Sequence, residues 1–391
     1  MHALRSRLPS LLRSLILALA VSGCATQAPV APLKTLLRED LFPAAPLGFD
    51  PQSLFALSSD MQRYAQERLG ASTGPHDLRR KLIDALYAKG ELRLAYDGVS
   101  TLTAREAFAA RSGNCLSLVI MTAAFAKHLG LPVSYRSVVV DELYTRSADL
   151  TFASGHVNLV LAAITGHAWR NSAENSTLTV DFLPSEDTQG QRSELLEERT
   201  LVAMYLNNRA AESLGQGHLV DAYAFARDAL LQDESFLAAG NTLAVVYQRA
   251  GHTPEAEAAL RHVLALDPDH KAALSNLVGL LTYTGRSDLA EPFAARLARL
   301  QPVPPFYHLE LGRQAMASGD YAAARDHFLL ELRDQPYQDE VHFWAAQAYW
   351  KLGNLQKASY HLKQALDNSL NQRDQARYTA KLDHLRAHSV R

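Results

Sequence analysis

The chain has 391 residues, and its 39 Lys and Arg against 41 Asp and Glu give a formal charge of −2. This balance leaves no excess of positive charge for a phosphate backbone and disfavours nucleic acid as a partner. The length exceeds the usual size of a single hydrophobic core and indicates two folded units. Only two cysteines occur, Cys24 and Cys115.

Residues 1–23 have the features of a secretory leader. They carry three arginines and no acidic residue, and the uncharged stretch from Ser14 is too short to span a bilayer. The residues Val21-Ser22-Gly23-Cys24 resemble a bacterial lipobox. The resemblance implies that Cys24 becomes an acylated N-terminus that anchors the chain in the cell envelope, and Ala25 after it implies the outer membrane, facing the periplasm. An ordinary cleaved leader with an incidental cysteine is the alternative.

Residues 24–50 are predicted to be a flexible tether between the membrane and the first domain. Four prolines interrupt a segment rich in alanine. After loss of the leader the formal charge falls to about −5, and with Cys24 lipidated Cys115 is left without a partner for a disulfide.

Residues 51–200 combine helical and strand patterns and predict an α+β domain. Helical periodicity runs from Pro51 and again over 75–90. A capping box, Thr103 to Glu106, starts a third helix. A fourth, apolar helix runs from Cys115 to Leu129, and three strand-like runs follow it, at 133–140, 157–162 and 177–182.

Cys115 is the candidate nucleophile of this domain. A thiol in the first turn of a helix faces unpaired backbone N–H groups and the positive end of the helix dipole, which favour the thiolate. His156 and Asp181 lie on the successive strand-like runs and supply a base and a group to orient it. A buried structural cysteine is the alternative.

The stretches Thr103–Leu118, Ala123–Phe125 and His128–Val133 resemble the transglutaminase-like superfamily, relatives of papain-type cysteine proteases. The resemblance implies that Cys115 is the nucleophile, that His156 is the general base and then acid, and that Asp181 holds the imidazole. It also places the Cys115 N–H in an oxyanion hole. His167, in Gly166-His167-Ala168-Trp169, matches the family signature more literally than His156. It precedes a polar stretch without strand alternation, and we therefore favour His156.

The triad predicts attack on an amide carbonyl and a thioester intermediate. Water would then give a peptidase or amidase, and an amine would give acyl transfer; the resemblance to bacterial hydrolases favours hydrolysis. No metal-ligand spacing or phosphate-binding glycine loop indicates a cofactor. The competing hypothesis is a catalytically inactive adaptor that scaffolds envelope protein complexes.

Residues 203–372 contain a 34-residue repeat in five units, which begin at Ala203, Leu237, Lys271, Pro305 and Asp339. Glycines recur at one position of every unit: Gly217, Gly251, Gly285, Gly319 and Gly353. The pattern resembles the tetratricopeptide repeat (TPR), which implies an all-α superhelix with a concave binding face. Residues 373–391 are predicted to be a capping helix.

The first helices of the units are expected to turn a polar, amide-rich face toward the groove. This face would hold a peptide segment of a protein partner. A simply solvated face is the alternative. The candidate groove residues are Asn207, Asn241, Gln248, Ser275, Arg313, Gln347 and Trp350.

Overall fold

A computed structural model describes residues 31–46, 48–70, 75–87, 95–96, 100–147, 150–162, 177–182, 193–369 and 372–389. The expected leader, Cys24 and the alternative base His167 lie outside these ranges. Among the described residues, no helix combines the length and the apolar character needed to cross a bilayer.

The N-terminal half begins with helices whose ends follow local capping rules. The Asp50 side chain accepts a hydrogen bond from the Gln52 N–H at the first helix, and Thr103 and Glu106 form the predicted capping box. The elements are α1 (Pro51–Leu54), α2 (Ser59–Leu69), α3 (Pro75–Tyr87), β1 (Ala95–Tyr96), α4 (Ala104–Ala110), β2 (Ser112–Gly113) and α5 (Cys115–His128).

A four-stranded antiparallel sheet follows, formed by β3 (Val133–Ser147), β4 (Leu150–Ala162), β5 (Thr177–Val180) and β6 (Ser193–Leu196), in the order β5-β4-β3-β6. Its second strand is longer than the sequence predicts, since it begins at Leu150 rather than Val157. The fourth strand, β6, pairs with β3 and was not predicted. Its Ser-Glu-Leu-Leu sequence is short and lacks the β-branched alternation that marks the other strands.

Helix α5 lies at the centre of the N-terminal half and packs across β4. Its side chains from Leu116 to Ala126 are all buried, which explains why it is apolar on every face. This packing brings the start of α5 close to the middle of β4.

The C-terminal half is an array of helix pairs followed by one last helix, as the repeat predicts. The five glycines at the recurring position all have φ between +75° and +83°, a backbone conformation that ends the first helix of each unit. The helices are α6 (Glu198–Gly215), α7 (Leu219–Gln232), α8 (Leu237–Arg249), α9 (Thr253–Leu266), α10 (Lys271–Tyr283), α11 (Ser287–Leu300), α12 (Tyr307–Ser318), α13 (Tyr321–Asp334), α14 (Asp339–Lys351), α15 (Leu355–Asp367) and α16 (Gln372–Ser389).

The predicted flexible tether is wrong for residues 31–46 and 48–50, which pack on the first two repeats. Leu33 is fully buried against Gly240. Phe42 is buried as well, and the Phe49 N–H donates to Asp228 Oδ2 at 2.8 Å. We call residues 33–46 and 48–49 the strap. Its apolar side chains outweigh the prolines that indicated a linker.

The array is one repeat series but not one continuous stack. Buried residues from Leu33 to Ala290 form a single core that joins the N-terminal half to the first three repeats. Separate clusters hold repeats four and five and α16. Helices α11 and α12 barely touch, although successive helices elsewhere in the array pack closely. The unbroken sequence register therefore does not give an unbroken core.

Candidate functional site

Cys115 is the first residue of α5 and is half-buried. The helix begins there because the Asn114 side chain caps it, accepting a hydrogen bond from the Ser117 N–H at 2.9 Å. Asn114 Nδ2 in turn donates to Thr101 Oγ1 at 2.9 Å. The buried polar cluster of Thr101, Asn114 and Ser117 thus fixes the position of the thiol. Sequence reasoning missed this cluster, although an Asn directly before an apolar helix is an N-cap signal.

Glycine is required at position 113, just before the thiol, because Ser117 lies too close for a larger side chain. A Cβ at this position would lie 2.7 Å from Ser117 Cβ, well inside van der Waals contact. Gly113 also pairs with Tyr96 in the two-stranded parallel sheet of β1 and β2. The chain entering α5 is therefore held on both sides.

His156 and Asp181 meet across neighbouring strands. Leu159 of β4 is paired with Val180 of β5, and the same antiparallel register continued by one residue sets Asp181 beside Asn158. The His156 side chain points to the same face as that of Asn158, and His156 Nε2 lies 2.7 Å from Asp181 Oδ1. The register of β3 and β4 shifts just past the pair Val138 and His156, as in a β-bulge. The sequence indicated that His156 lies at the start of a strand. It lies instead within β4.

The protonation of His156 is set by its two partners. Burial lowers its pKa, but the hydrogen bond to Asp181 and the interaction with the Cys115 side chain outweigh burial and raise the pKa to about 9. The imidazole is 1% exposed. At neutral pH it is therefore an imidazolium beside the sulfur and the carboxylate.

The second ring nitrogen of His156 is the one left for the thiol. Nε2 is engaged by Asp181, whereas Nδ1 is buried and lacks a well-formed hydrogen bond within the described part of the chain. Cys115 is close enough to act on the imidazole, yet its sulfur does not complete that bond. Catalytic contacts of this kind are often long in a ligand-free site and shorten when substrate binds.

Asn158 is a further polar neighbour that the sequence did not mark as part of the site. It is 7% exposed, and its Nδ2 donates to Asp181 Oδ2 at 3.5 Å. The two carboxylate oxygens of Asp181 are thereby held by different side chains of β4.

A cavity of about 400 Å³ opens beside Asp181. Apart from Asp181 and the Tyr87 hydroxyl, which bonds to Thr122 Oγ1 at 2.6 Å, its lining is mainly apolar. Its described lining residues are Ile83, Tyr87, Leu118, Leu178, Thr179, Val180, Asp181 and Phe182. Leu118 lies one helical turn after Cys115, so the cavity adjoins the thiol's side of α5.

Four of the candidate groove residues lie in the first three repeats. Asn241 Oδ1 accepts a hydrogen bond from Asn276 Nδ2 at 2.8 Å, which links two successive repeats. Asn207 Oδ1 is buried and has no hydrogen-bond partner within the described ranges. Gln248 is half-buried and Ser275 is exposed. Within the described ranges, one amide oxygen among these side chains, that of Asn207, is therefore left unpaired.

The other three candidate groove residues lie in repeats four and five and differ from one another. Arg313 is exposed, and its guanidinium lies 5.6 Å from the Trp344 ring and 3.8 Å from Glu340. Gln347 and Trp350 instead line a small pocket under α16, and Trp350 meets the ring of His384 edge to face. The prediction that these two residues face an open groove is therefore wrong. The capping helix covers them.

Within the described ranges, no group of three or more His, Cys, Asp or Glu side chains is arranged to hold a metal ion.

The repeat array is related to a known family by sequence. The tetratricopeptide repeat family matches residues 241–303 and 309–371. The chain therefore carries tetratricopeptide repeats, and these point to a role in protein–protein interaction. No curated protein matches the chain.

Several solved structures are similar to part of the chain. MamA is 18% identical, with 44% of this chain and 93% of that chain covered and a TM-score of 0.25. PilF of Pseudomonas aeruginosa is 22% identical, with coverages of 49% and 90% and a TM-score of 0.28. A TPR protein of Thermus thermophilus, TTC0263, is 17% identical, with coverages of 46% and 98% and a TM-score of 0.30.

Proposed function

We propose that the N-terminal half is a cysteine hydrolase domain that acts on peptide or protein amides, and that the repeats recruit its substrate or a protein partner. The observation that carries the proposal is the hydrogen bond between His156 and Asp181, 2.7 Å long, with Cys115 acting on the same imidazole. A nucleophile, a base and an orienting carboxylate are the three parts that such a reaction needs.

The steps follow from the protonation of the site. The Cys115 sulfur attacks the amide carbonyl, and the imidazolium of His156 gives its proton to the leaving amine as the C–N bond breaks. The acyl group stays on sulfur as a thioester. His156, now neutral, takes a proton from water as the water attacks the thioester carbonyl. The C–S bond breaks, the carboxylic acid leaves, and the thiolate and imidazolium are restored. The N–H of Cys115, in the first turn of α5, would stabilise the oxyanion.

The cavity beside Asp181 favours a substrate with an apolar group next to the reacting amide. Aliphatic and aromatic side chains from α3, α5 and β5 line it, and pockets of this composition bind apolar side chains or acyl groups. We therefore place an apolar residue of the substrate next to the amide that is cleaved.

The envelope location is part of the same proposal. The lipobox-like sequence at Cys24 would anchor the chain to the outer membrane by an acyl group, and the strap would begin only nine residues later, at Leu33. An anchored enzyme would meet periplasmic proteins, and the repeats would bind a peptide segment of one of them.

Trapping of the acyl-enzyme tests the proposal. The protein would be incubated with a library of peptide amides that vary in the residue before the amide, and Cys115 would be analysed for thioester adducts by mass spectrometry. We expect adducts with apolar residues, none in Cys115→Ala, and loss of product in His156→Ala. Addition of a primary amine distinguishes the two reactions, because acyl transfer gives a new amide whereas hydrolysis gives a carboxylic acid.

An adaptor without catalysis is the second candidate. The observation that favours it is the imperfect contact of Cys115 with His156 Nδ1, because a site without function need not keep this bond. If Cys115 forms no adduct with any library member while the repeats still bind a partner, the adaptor function holds instead.

A further inference from the structure

The interface between the third and fourth repeats, formed by α11 and α12, is open, whereas the other junctions of the array are closed. We call this open interface the seam. The third position of each 34-residue unit shows this directly. Tyr205, Ala239, Ala273 and Val341 are at most 2% exposed at this position, whereas Tyr307 is 43% exposed. The same position is thus buried in four units and open in one.

Other positions of the two facing helices agree. At the tenth position Val246, Leu280 and Ala348 are fully buried, but Gln314 of α12 is exposed. On the other side of the seam, Ala298 of α11 is exposed. Its equivalents Leu230 and Leu264 are at most 8% exposed. Both faces of one inter-repeat interface are therefore unpaired.

The linker between the two repeats explains the opening. Helices α8, α10 and α14 start at the first position of their units, but α12 starts at Tyr307, two positions late. Pro305 occupies the expected start and Pro304 precedes it, so Val303 and Pro304, each followed by a proline, are driven out of the helical conformation. Phe306 then has a φ of +61°, in the left-handed region. Helix α12 therefore begins two residues later than its equivalents.

The repeat register nevertheless continues across this linker without insertion or deletion. The chain is therefore long enough to reach the packing seen at the other junctions, and only a few backbone angles at residues 301–306 would have to change. Because α12 is tied to α11 by six residues, its effective concentration at the seam exceeds that of any separate molecule.

We propose that residues 301–306 form a hinge, and that the seam is an interface that closes when the α12 face docks on the α11 face of the same chain. The array then has an open state, with two bodies, and a closed state, with one continuous stack. The hinge divides the polar concave surface: Asn241 and Ser275 lie on the first body and Arg313 on the second. A peptide that contacts both bodies would favour the state in which the two surfaces are in line.

Distances between pairs of spin labels test the hinge in the full-length chain with both native cysteines changed to serine. The seam pair is Asp288→Cys on α11 with Ala317→Cys on α12. The control pair, Ala322→Cys with Lys351→Cys, occupies the same two repeat positions across the closed junction of repeats four and five. All four residues are exposed, so labelling leaves the core intact.

We expect the control pair to give one narrow distribution of label distances. The seam pair should give two distributions, and the shorter of the two should match that of the control pair. The double variant Pro304→Ala and Pro305→Ala should increase the population at the shorter distance at least about twofold, because it permits a normal helix start. A single distance for the seam pair in both backgrounds, long or short, would overturn the hinge. A short distance that arises only between different, singly labelled chains would assign the seam to a second copy and also overturn it.

Discussion

The ring of Phe42 stacks on the ring of Tyr223 with centroids 4.2 Å apart and planes 6° from parallel. One ring belongs to the strap and the other to the second helix of repeat one, 181 residues further along the chain. Around them, the Tyr247 hydroxyl donates to the Leu36 carbonyl at 2.8 Å, and Arg227 donates to the Pro46 carbonyl at 2.6 Å. The strap is thus part of the repeat array's structure.

Removal of the Phe42 ring should destabilise the first repeats. Phe42→Ala leaves a cavity against Tyr223, and we expect the free energy of unfolding to fall by about 3 kcal/mol, measured by chemical denaturation. Lys34→Ala is the control, because its ion pair with Glu234 is half-exposed and contributes little. Equal stability of Phe42→Ala and the parent would mean that the strap is not bound in solution.

Cys115 should react with iodoacetamide at pH 6 at least about tenfold faster than a free thiol, because a neighbouring imidazolium favours the thiolate. His156→Ala should abolish the difference, and the rate is read by mass spectrometry. His128→Ala, exposed at the other end of α5, should leave it unchanged. An inert Cys115 in the folded parent contradicts the prediction.

Because the pKa of His156 is raised in the folded protein, the free energy of unfolding should fall at alkaline pH. In the unfolded chain the pKa is 6.5, and in the folded protein it is about 9, so the folded state binds the proton more tightly. The stabilisation is complete below about pH 6.5 and is lost as the pH rises through 9, on the order of 3 kcal/mol in total. Denaturation at pH 6 and pH 10 should show this loss for the parent. His156→Gln should show a smaller one, and parallel losses in both would disprove the assignment.

A pair of buried histidines in repeat five should make the end of the array sensitive to acid. His342 Nδ1 and His361 Nδ1 share a hydrogen bond of 3.0 Å, and burial lowers both pKa values, that of His361 to about 4. Here the folded state disfavours the proton, so stability is complete above pH 6.5 and is lost as the pH falls toward 4.

Hydrogen exchange of α14 and α15 at pH 7 and pH 4.5 measures this effect. We expect protection to fall at the lower pH in the parent, and to fall less in His361→Asn. The exposed His218, in repeat one, supplies the control variant His218→Asn, which should behave like the parent. Equal protection of the parent at both pH values would count against the histidine pair.

Gly113→Ala should disturb the start of α5. The added Cβ would meet Ser117 Cβ at 2.7 Å, and we expect a loss of about 1–3 kcal/mol in stability together with slower alkylation of Cys115. Gly48→Ala has open space around its Cβ and should change neither. Normal stability and normal reactivity of Gly113→Ala would show that the helix start can shift freely.

The sequence predicted the repeats well because their signal is periodic. Small residues and glycines recur every 34 residues, and the turn glycines have the positive φ that the pattern requires. The break at Pro304 was not predicted, because a proline at the start of a unit is compatible with a helix. The exposure of Tyr307, Gln314 and Ala298, in comparison with their buried equivalents, reveals the open junction.

The N-terminal half was predicted less completely. The start of α5 at Cys115 followed from the break at residues 112–114 before an apolar run. The strand β6 and the early start of β4 depend on pairing across the sheet, which a local pattern does not encode. The strap was missed for a similar reason: its prolines indicated a linker, whereas Leu33 and Phe42 find their partners about 200 residues away. The roles of Cys115, His156 and Asp181 stay predictions.

The burial of Leu33 against Gly240 also limits where this protein can be shortened. A chain that began at Pro51 would keep every helix of the repeats but would uncover a notch between α8 and α9, together with the rings of Tyr223 and Tyr247. Such a fragment would be prone to self-association. A synthetic peptide spanning residues 31–50, supplied separately, should restore its solubility by refilling the notch.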